Sequence, residues 1–410
     1  MKFRHLILWL VAAALPAQFV RSEPAQVVGQ IANANNAFAF DLYKYLAKEP
    51  GNLVVSPFSI DTALTMAYAG ARGQTASQMA KVLHIPSENT NVHSRFAALL
   101  KELNETNVTG CQLEIANSLW AQRGYQFLKP FQELLRSDYS ASLNEIDLTG
   151  WPKEFNPAIA AAARKRINDW VAERTRNKIT EMLPLRLPDP DTLLILVNGV
   201  SFKGTWVTQF DKAKTADSPF RLTPGETVSV PTMHTSGQFR VGGNETLQVL
   251  ELPYVSNRFS MIILLPYEYL KLKLEDIEKT LSPTLIEQLR QKCEKQEINV
   301  SLPRFKSGSD FDLKKPLRDM GMELAFDMGD ADFSGITLEK PFFIGDALHK
   351  ACVDVDEAGT EAAAATVVVF KKSLPASFIA DHPFLFLIRD NKTGIILFLG
   401  RVANPLPNGQ

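Results

Sequence analysis

The sequence is poor in the residues around which metal proteins and redox enzymes are built. It has three cysteines, Cys111, Cys293 and Cys352, and six histidines. No Cys-x-x-Cys occurs, so neither a zinc cage nor a thioredoxin-like site is indicated, and the odd number leaves at least one thiol unpaired within the chain. His5, His84, His93, His234, His349 and His382 form no His-Glu-x-x-His pattern, and no Gly-x-Ser-x-Gly elbow is present. Carboxylates are plentiful, but abundance does not make a catalytic pair. No catalytic residue, metal site or cofactor is therefore expected, and the chain is not expected to be an enzyme. Charge of one sign is also missing: 44 Lys and Arg stand against 45 Asp and Glu. Nucleic-acid binders usually carry a clustered basic face, so neither nucleic acid nor a membrane surface is an expected partner. Residues 87–105 hold no dense basic run. Arg164, Lys165, Arg166, Arg174, Arg176 and Lys178 are spaced around a helix and read as a solvated face. No Gly/Ser linker, low-complexity tract or repeat divides the chain, which argues for one domain.

What is present begins with a leader. Lys2, Arg4 and His5 precede an apolar run over residues 6–15, and small residues such as Ala17 follow. A basic stretch, a short apolar stretch and a small-residue cleavage site make a signal peptide, assigned to residues 1–22. The run falls short of the ~20 residues a membrane span needs, and no later stretch is longer. The expected product is secreted, extracellular or periplasmic. Sequons at Asn104, Asn107, Asn244, Asn299 and Asn391 matter only in a host that glycosylates.

Residues 23–410 are 45% hydrophobic with the rest of the chain, enough for a large core. Helical spacing predicts helices over residues 32–46, 60–71, 76–83, 94–103 and 130–139. A long helical stretch is predicted over 158–183, opened by Asn156-Pro157 and stopped by Pro184. From residue 193 the pattern turns to strands, at 193–202, 246–254, 259–265 and 297–302. Residues 383–388 and 394–402 read as a closing pair around Asp390-Asn391-Lys392-Thr393. Helices early and strands late, without βαβ alternation, predict an α+β fold.

The most unusual stretch follows Glu357. It reads Gly359, Thr360, Glu361, Ala362, Ala363, Ala364, Ala365, Thr366, then three valines, Phe370, Lys371, Lys372, Ser373 and Leu374. Gly359 and the valines favour extended structure over the helix that four alanines suggest. At period two, one face carries Thr360, Ala362, Ala364, Thr366, Val368 and Phe370, all small or apolar. The other carries Glu361 and Lys371. A strand with this pattern can be buried on one side.

Residues 359–366 closely resemble the hinge of the reactive-centre loop in inhibitory serpins. The resemblance extends over the mature chain. It includes Asn52-Leu53-Val54-Val55-Ser56-Pro57-Phe58-Ser59, Leu196-Val197-Asn198-Gly199-Val200-Ser201-Phe202-Lys203-Gly204-Thr205-Trp206, Leu250-Glu251-Leu252-Pro253-Tyr254, Leu302-Pro303-Arg304-Phe305, Ala331-Asp332-Phe333-Ser334-Gly335, His349-Lys350-Ala351, Ala380-Asp381-His382-Pro383-Phe384 and Gly400-Arg401-Val402. The resemblance implies a single α+β serpin domain with a helical N-terminal part and three β-sheets. It also implies an exposed reactive-centre loop at about residues 357–378. The implied function is suicide inhibition of a serine protease by a monomer, in a covalent 1:1 complex. The protease cleaves the loop, is acylated by it, and is trapped as the hinge inserts into the main sheet.

Carried over by resemblance, Ser56, Ser59, Asn198 and His349 fall at the family's shutter, where the sheet opens. An ordinary satisfied core histidine is an equally good description of His349. Trp206, Arg304 and Glu357 fall at the breach, where the loop first enters. Arg304 stands where the family often has Lys, and it should still pair with Glu357. Counting forward from Glu357 puts the scissile bond at Ser373-Leu374. Counting back from His382-Pro383-Phe384 puts it at Lys372-Ser373, which suits a trypsin-like pocket and is preferred; Lys371 and Lys372 can also simply keep a loop soluble. The rival reading is a non-inhibitory serpin serving as carrier, chaperone or storage protein. Its expected mark is a charged, bulky or Pro residue in the hinge, and Thr360 and Ala362 to Thr366 show none.

Overall fold

Helices dominate the N-terminal third, as the spacing predicts, with one long strand set among them. The structure, a computed structural model, describes residues 23–86, 91–104, 110–150, 153–270, 272–357 and 376–406. The residues expected to form a leader (1–22), the hinge (Gly359 to Thr366) and the reactive bond (Lys372, Ser373 and Leu374) lie outside the described residues. Helix α1 (Glu23–Leu46) is followed by strand β1 (Leu53–Val55) and helices α2 (Pro57–Tyr68), α3 (Gly73–Val82), α4 (Val92–Asn104) and α5 (Lys129–Tyr139). Pro57 opens α2, where its missing N–H has no partner to lose. Residues 57–67 of α2 are buried on every side, because α2 packs on α1 and on strands of both sheets.

Helix α6 (Pro157–Arg174) begins as predicted. The Asn156 side chain accepts from the amide of Ala158 at 3.0 Å. It ends earlier than the predicted residue 183. Arg176 and Asn177 take φ of 48° and 58°, a left-handed conformation that a helix cannot continue through. Thr175 secures the break, donating to the Val171 carbonyl at 2.8 Å and accepting from the Ile179 amide at 3.1 Å. The apolar residues that extended the helical pattern, Ile179, Met182 and Leu183, still bury themselves with Ile167 and Val171 against a sheet.

The strands missed by pattern alone are β2 (Cys111–Gln122), β3 (Leu143–Ile146), β5 (Ala216–Thr223), β10 (Phe305–Asp312), β11 (Asp346–Val355) and β12 (Ala376–Ile379), with β1. Those foreseen in outline are β4 (Leu194–Gly204), β7 (Leu247–Pro253), β8 (Phe259–Pro266), β9 (Glu294–Pro303), β13 (Phe384–Asp390) and β14 (Ile396–Val402). The longest strand, β6 (Glu226–Gly243), was also missed by pattern. Short helices α7 (Leu274–Thr280), α8 (Pro283–Gln291) and α9 (Lys314–Asp319) connect them.

One sheet has the order β10-β11-β4-β2-β3. The pairs β10–β11 and β4–β2 are antiparallel, whereas β2 lies parallel to the edge strand β3 and β11 lies parallel to β4 from Asp346↔Ile195 to Val353↔Phe202. The other sheet has nine strands and divides along β6. The first half of β6 pairs with β5 and the second half with β7, while β9 runs along its other edge and β12 pairs with β9. The three sheets implied by the sequence are thus one separate sheet and two that share β6. The fold is α+β, and α6 lies across the five-stranded sheet. A Cβ on Gly199 of β4 would come within 3.1 Å of Met182 and 3.2 Å of Val171, so only glycine lets this layer sit so close.

Candidate functional site

The parallel seam between β4 and β11 carries two polar groupings, one midway along it and one at the end where β11 runs out to Glu357. Midway, Asn117, Asn198 and His349 stand in register across β2, β4 and β11. All point to the side of α2, whose Ser59 meets them. Asn198 Nδ2 donates to Ser59 Oγ at 2.7 Å and to Asn117 Oδ1 at 2.5 Å. Ser59 Oγ donates to Asn117 Oδ1 at 2.8 Å. His349 Nδ1 bonds to Asn198 Oδ1. The Ser56 amide donates to His349 Nε2 at 3.1 Å, and Ser56 Oγ donates to the Leu397 carbonyl at 2.7 Å.

This pattern fixes the protonation of His349. Nε2 accepts a backbone N–H, so it carries no proton, and Nδ1 must be the donor to Asn198. A second proton would have nowhere to go. Burial pushes the imidazole down to about 3, the expected direction for a cation in an apolar interior. His349 is thus a fully satisfied core histidine and also the joint between strands β4 and β11 and the start of α2.

At the end of the seam, the Trp206 indole N–H donates to the Asp356 carbonyl at 2.9 Å. Its ring stacks on Tyr254, 4.3 Å between centroids. A Cβ at Gly204 would lie 2.5 Å from the Tyr254 ring, so glycine is needed for this stack. The Glu357 carboxylate is buried, receives Thr215 Oγ1 at 2.6 Å and is contacted by the Arg304 guanidinium. Burial raises the Glu357 carboxyl, but the bonds from Thr215 and Arg304 outweigh it and hold it below the usual glutamate value. The Glu357 carbonyl accepts from the Phe210 amide at 3.0 Å. Residue 357 is therefore pinned through both its carboxylate and its carbonyl, and β12 lies on the far edge of β9.

The structure brings Ser56, Ser59, Asn198 and His349 together, and likewise Trp206, Arg304 and Glu357. Reading the sequence missed Asn117, although it had a signal. In the alternation of β2 it shares a face with Leu113, Ile115 and Leu119, and a lone amide on an apolar face needs a partner. Thr215 had none, since it precedes an exposed strand. The three cysteines are all free thiols. No group of His, Cys, Asp or Glu among the described residues could hold a metal ion, and no described helix is long and apolar enough to cross a membrane.

Comparison with known proteins agrees with this geometry. The family model described as Serpin (serine protease inhibitor) matches residues 33–405. The leukocyte elastase inhibitor of Bos taurus is 40% identical over 388 residues, covering 92% of this chain and 100% of that protein. A serpin-like protein of Thermococcus kodakarensis is 40% identical over 381 residues, covering 92% of this chain and 86% of its own length. A solved structure of a tumour-suppressing serpin superposes with a TM-score of 0.82 at 28% identity, covering 92% of this chain and all of the other. With its sheet order, its pinned strand end and its relatives in agreement, the chain belongs to the serpin family of serine protease inhibitors.

Proposed function

We propose that this chain is a secreted suicide-substrate inhibitor of serine proteases that acts as a monomer and traps its target in a covalent 1:1 acyl complex. The observation that carries this reading is the parallel pairing of β11 with β4 directly below Glu357. Chain that doubles back after Glu357 runs antiparallel to β11. A strand entering between β11 and β4 is therefore antiparallel to both, and one parallel ladder is replaced by two antiparallel ones, which are slightly more stable per residue. The hinge Gly359, Thr360, Glu361, Ala362, Ala363, Ala364, Ala365 and Thr366 offers small side chains for that insertion. Ser56, Ser59, Asn198 and His349 act as the shutter that parts, and Trp206, Arg304 and Glu357 as the breach where insertion starts.

The covalent step needs only the loop and the protease. The protease serine Oγ adds to the Lys372 carbonyl carbon, and the Lys372-Ser373 amide bond breaks. The Ser373 nitrogen leaves as an amine with the proton the serine gave up. What remains is an ester between Lys372 and the protease. Water hydrolyses that ester unless insertion comes first, so the trap is a race, and the native state must persist behind a kinetic barrier. Lys372 favours a trypsin-like target. The basic and apolar leader at residues 1–22 supports secretion, with residues 23–410 as the mature domain and the reactive loop at about 357–378.

The test is incubation with trypsin, elastase, chymotrypsin and subtilisin, followed by denaturing gels and mass spectrometry of the released C-terminal peptide. The expected result is a gel-stable complex with a trypsin-like enzyme and a peptide that begins at Ser373. A peptide beginning at Leu374 moves the scissile bond by one residue. Clean clipping by every protease, with none retained, supports a carrier or storage role instead. N-terminal sequencing of protein recovered from the culture medium tests the leader.

A further inference from the structure

On the face of the five-stranded sheet that α6 covers, a shallow, solvent-open cleft lies between the turn after α6 and the end of the seam near Glu357. Strand register explains its lining. Glu114, Ser201 and Cys352 form one row across β2, β4 and β11, and Gly308 of β10 continues that row without a side chain. The next row places Gln112 beside Lys203 and Lys306 beside Asp354. Arg176 and Lys178 close the cleft from the left-handed turn that ends α6. Four cations thus face two carboxylates.

Two of those cations are already used. Arg176 meets Glu114 at 2.9 Å, and Lys203 lies 2.7 Å from Asp356 and 3.8 Å from Asp354. Among the described residues, Lys178 and Lys306 have no carboxylate partner. Beside them the Ser201 hydroxyl and the Gln112 amide add uncharged donors. A pair of unmatched ammonium groups over such donors is suited to a compact oxyanion with more than one charge.

We propose that this cleft binds a small polyanion of the pyrophosphate class and that the bound anion holds the sheet closed. The second half rests on the insertion reading above. A ligand that bridges Lys306 of β10, the Cys352 row of β11 and Ser201 of β4 spans the seam that insertion must part. Occupancy therefore slows insertion and shifts the acyl intermediate toward hydrolysis. Insertion in turn separates β4 from β11 and dismantles the site.

The test titrates intact protein with inorganic pyrophosphate by calorimetry at constant ionic strength, since exposed charges are screened by salt. One saturable site is expected. Binding should weaken at least about tenfold, equivalent to roughly 1.4 kcal/mol, in the Lys178→Gln, Lys306→Gln double variant. Both side chains are exposed, so folding should survive, and circular dichroism checks this. Lys165→Gln, on the outer face of α6 and paired with Asp169, should bind as the parent does. No saturable binding, or equal binding by the double variant, overturns the site. The loop-cleaved protein separates the two halves of the proposal. A raised melting temperature with lost binding supports both. A raised melting temperature with unchanged binding overturns the clamp. Unchanged melting overturns the insertion reading, and the titration of intact protein still decides the site.

Discussion

The two sheets of this molecule treat polarity in opposite ways. In the nine-stranded sheet, β8, β13 and β14 are antiparallel neighbours whose side chains are almost all buried and mostly apolar. Its buried charges are fastened to surrounding segments. Arg401 meets Glu278 at 2.9 and 3.0 Å and donates to the carbonyls of Glu49 and Gly51, while Tyr43 donates to the same Glu278 at 2.7 Å. Arg258 meets Asp390 at 2.6 Å. In the five-stranded sheet, the joint between β11 and β4 is parallel and is crossed by the neutral row Asn117, Asn198 and His349. Parting two apolar strands exposes surface at about 25 cal/mol per Å². Parting a row of neutral hydrogen-bonding groups is less costly wherever an incoming strand or water can replace the partners lost. One sheet is anchored, and the other has, on the proposed insertion mechanism, a single joint that can be remade.

The largest test of that contrast lies in the anchored sheet. Phe386 is fully buried in β13 and packs 5.5 Å from Phe305. Phe386→Ala should cost about 3–5 kcal/mol. Denaturant titrations should show nearly the same loss in native and loop-cleaved protein, because the proposed insertion between β11 and β4 leaves this sheet unchanged. A loss confined to one form would break the comparison. Next comes Thr360→Arg, which places an unpaired guanidinium on the insertion face, at a desolvation cost of several kcal/mol. Loop cleavage should stay fast while the number of inhibitor molecules consumed per protease inactivated rises severalfold. A parental ratio with an equally stable complex would show that entry of Thr360 is not what traps the enzyme.

Acid should act on the remade joint before it acts on the anchored sheet. His349 sits near 3 in the closed form against 6.5 in open chain. Any opened form in which water reaches His349 therefore takes up a proton that the closed form refuses. The stability that neutral His349 lends the closed sheet is complete above about pH 6.5 and is lost as pH falls toward about 3. Annealing of a synthetic hinge peptide should accelerate between about pH 7 and about pH 4.5. His349→Gln, which cannot titrate, should flatten that dependence. A parental profile in the variant would move the acid effect elsewhere. The smallest expected change is at Arg304, whose side chain is 48% exposed. Arg304→Ala should lower native stability by about 1 kcal/mol or less, and Arg304→Lys should restore it. Loss without rescue by lysine would show that the guanidinium's shape matters as well as its charge.

Much of this was legible in the chain. Helical spacing located α1 to α5, and turn residues between Ile388 and Ile396 announced the β13–β14 hairpin that the structure contains. The residues that the motif order grouped lie near one another in the fold: Ser56, Ser59, Asn198 and His349 midway along the seam, and Trp206, Arg304 and Glu357 at its end. What stayed hidden follows a rule. Strand β11 carries Asp346, His349, Lys350 and Asp354 among apolar residues, so its pattern reads as neither a clean amphipathic strand nor a buried run. Its polar residues are satisfied only by strands and helices distant in sequence. The predicted end of α6 failed because apolar spacing continued past Thr175 while the backbone did not; Ile179 and Met182 reach the same core from a turn.

The sequence by itself determined the family, the run of small residues from Thr360 to Thr366, and which faces of strands such as β13 and β14 are apolar, because side-chain size and spacing are properties of neighbours along the chain. Tertiary structure alone decided that β11 lies parallel to β4, that Asn117 completes the row of Asn198 and His349, and that Thr215 joins Arg304 on Glu357. Periodicity states that a face is buried but not what it is buried against. His349 and Asn198 are 151 residues apart, and only closure of the whole sheet brings the one to the other.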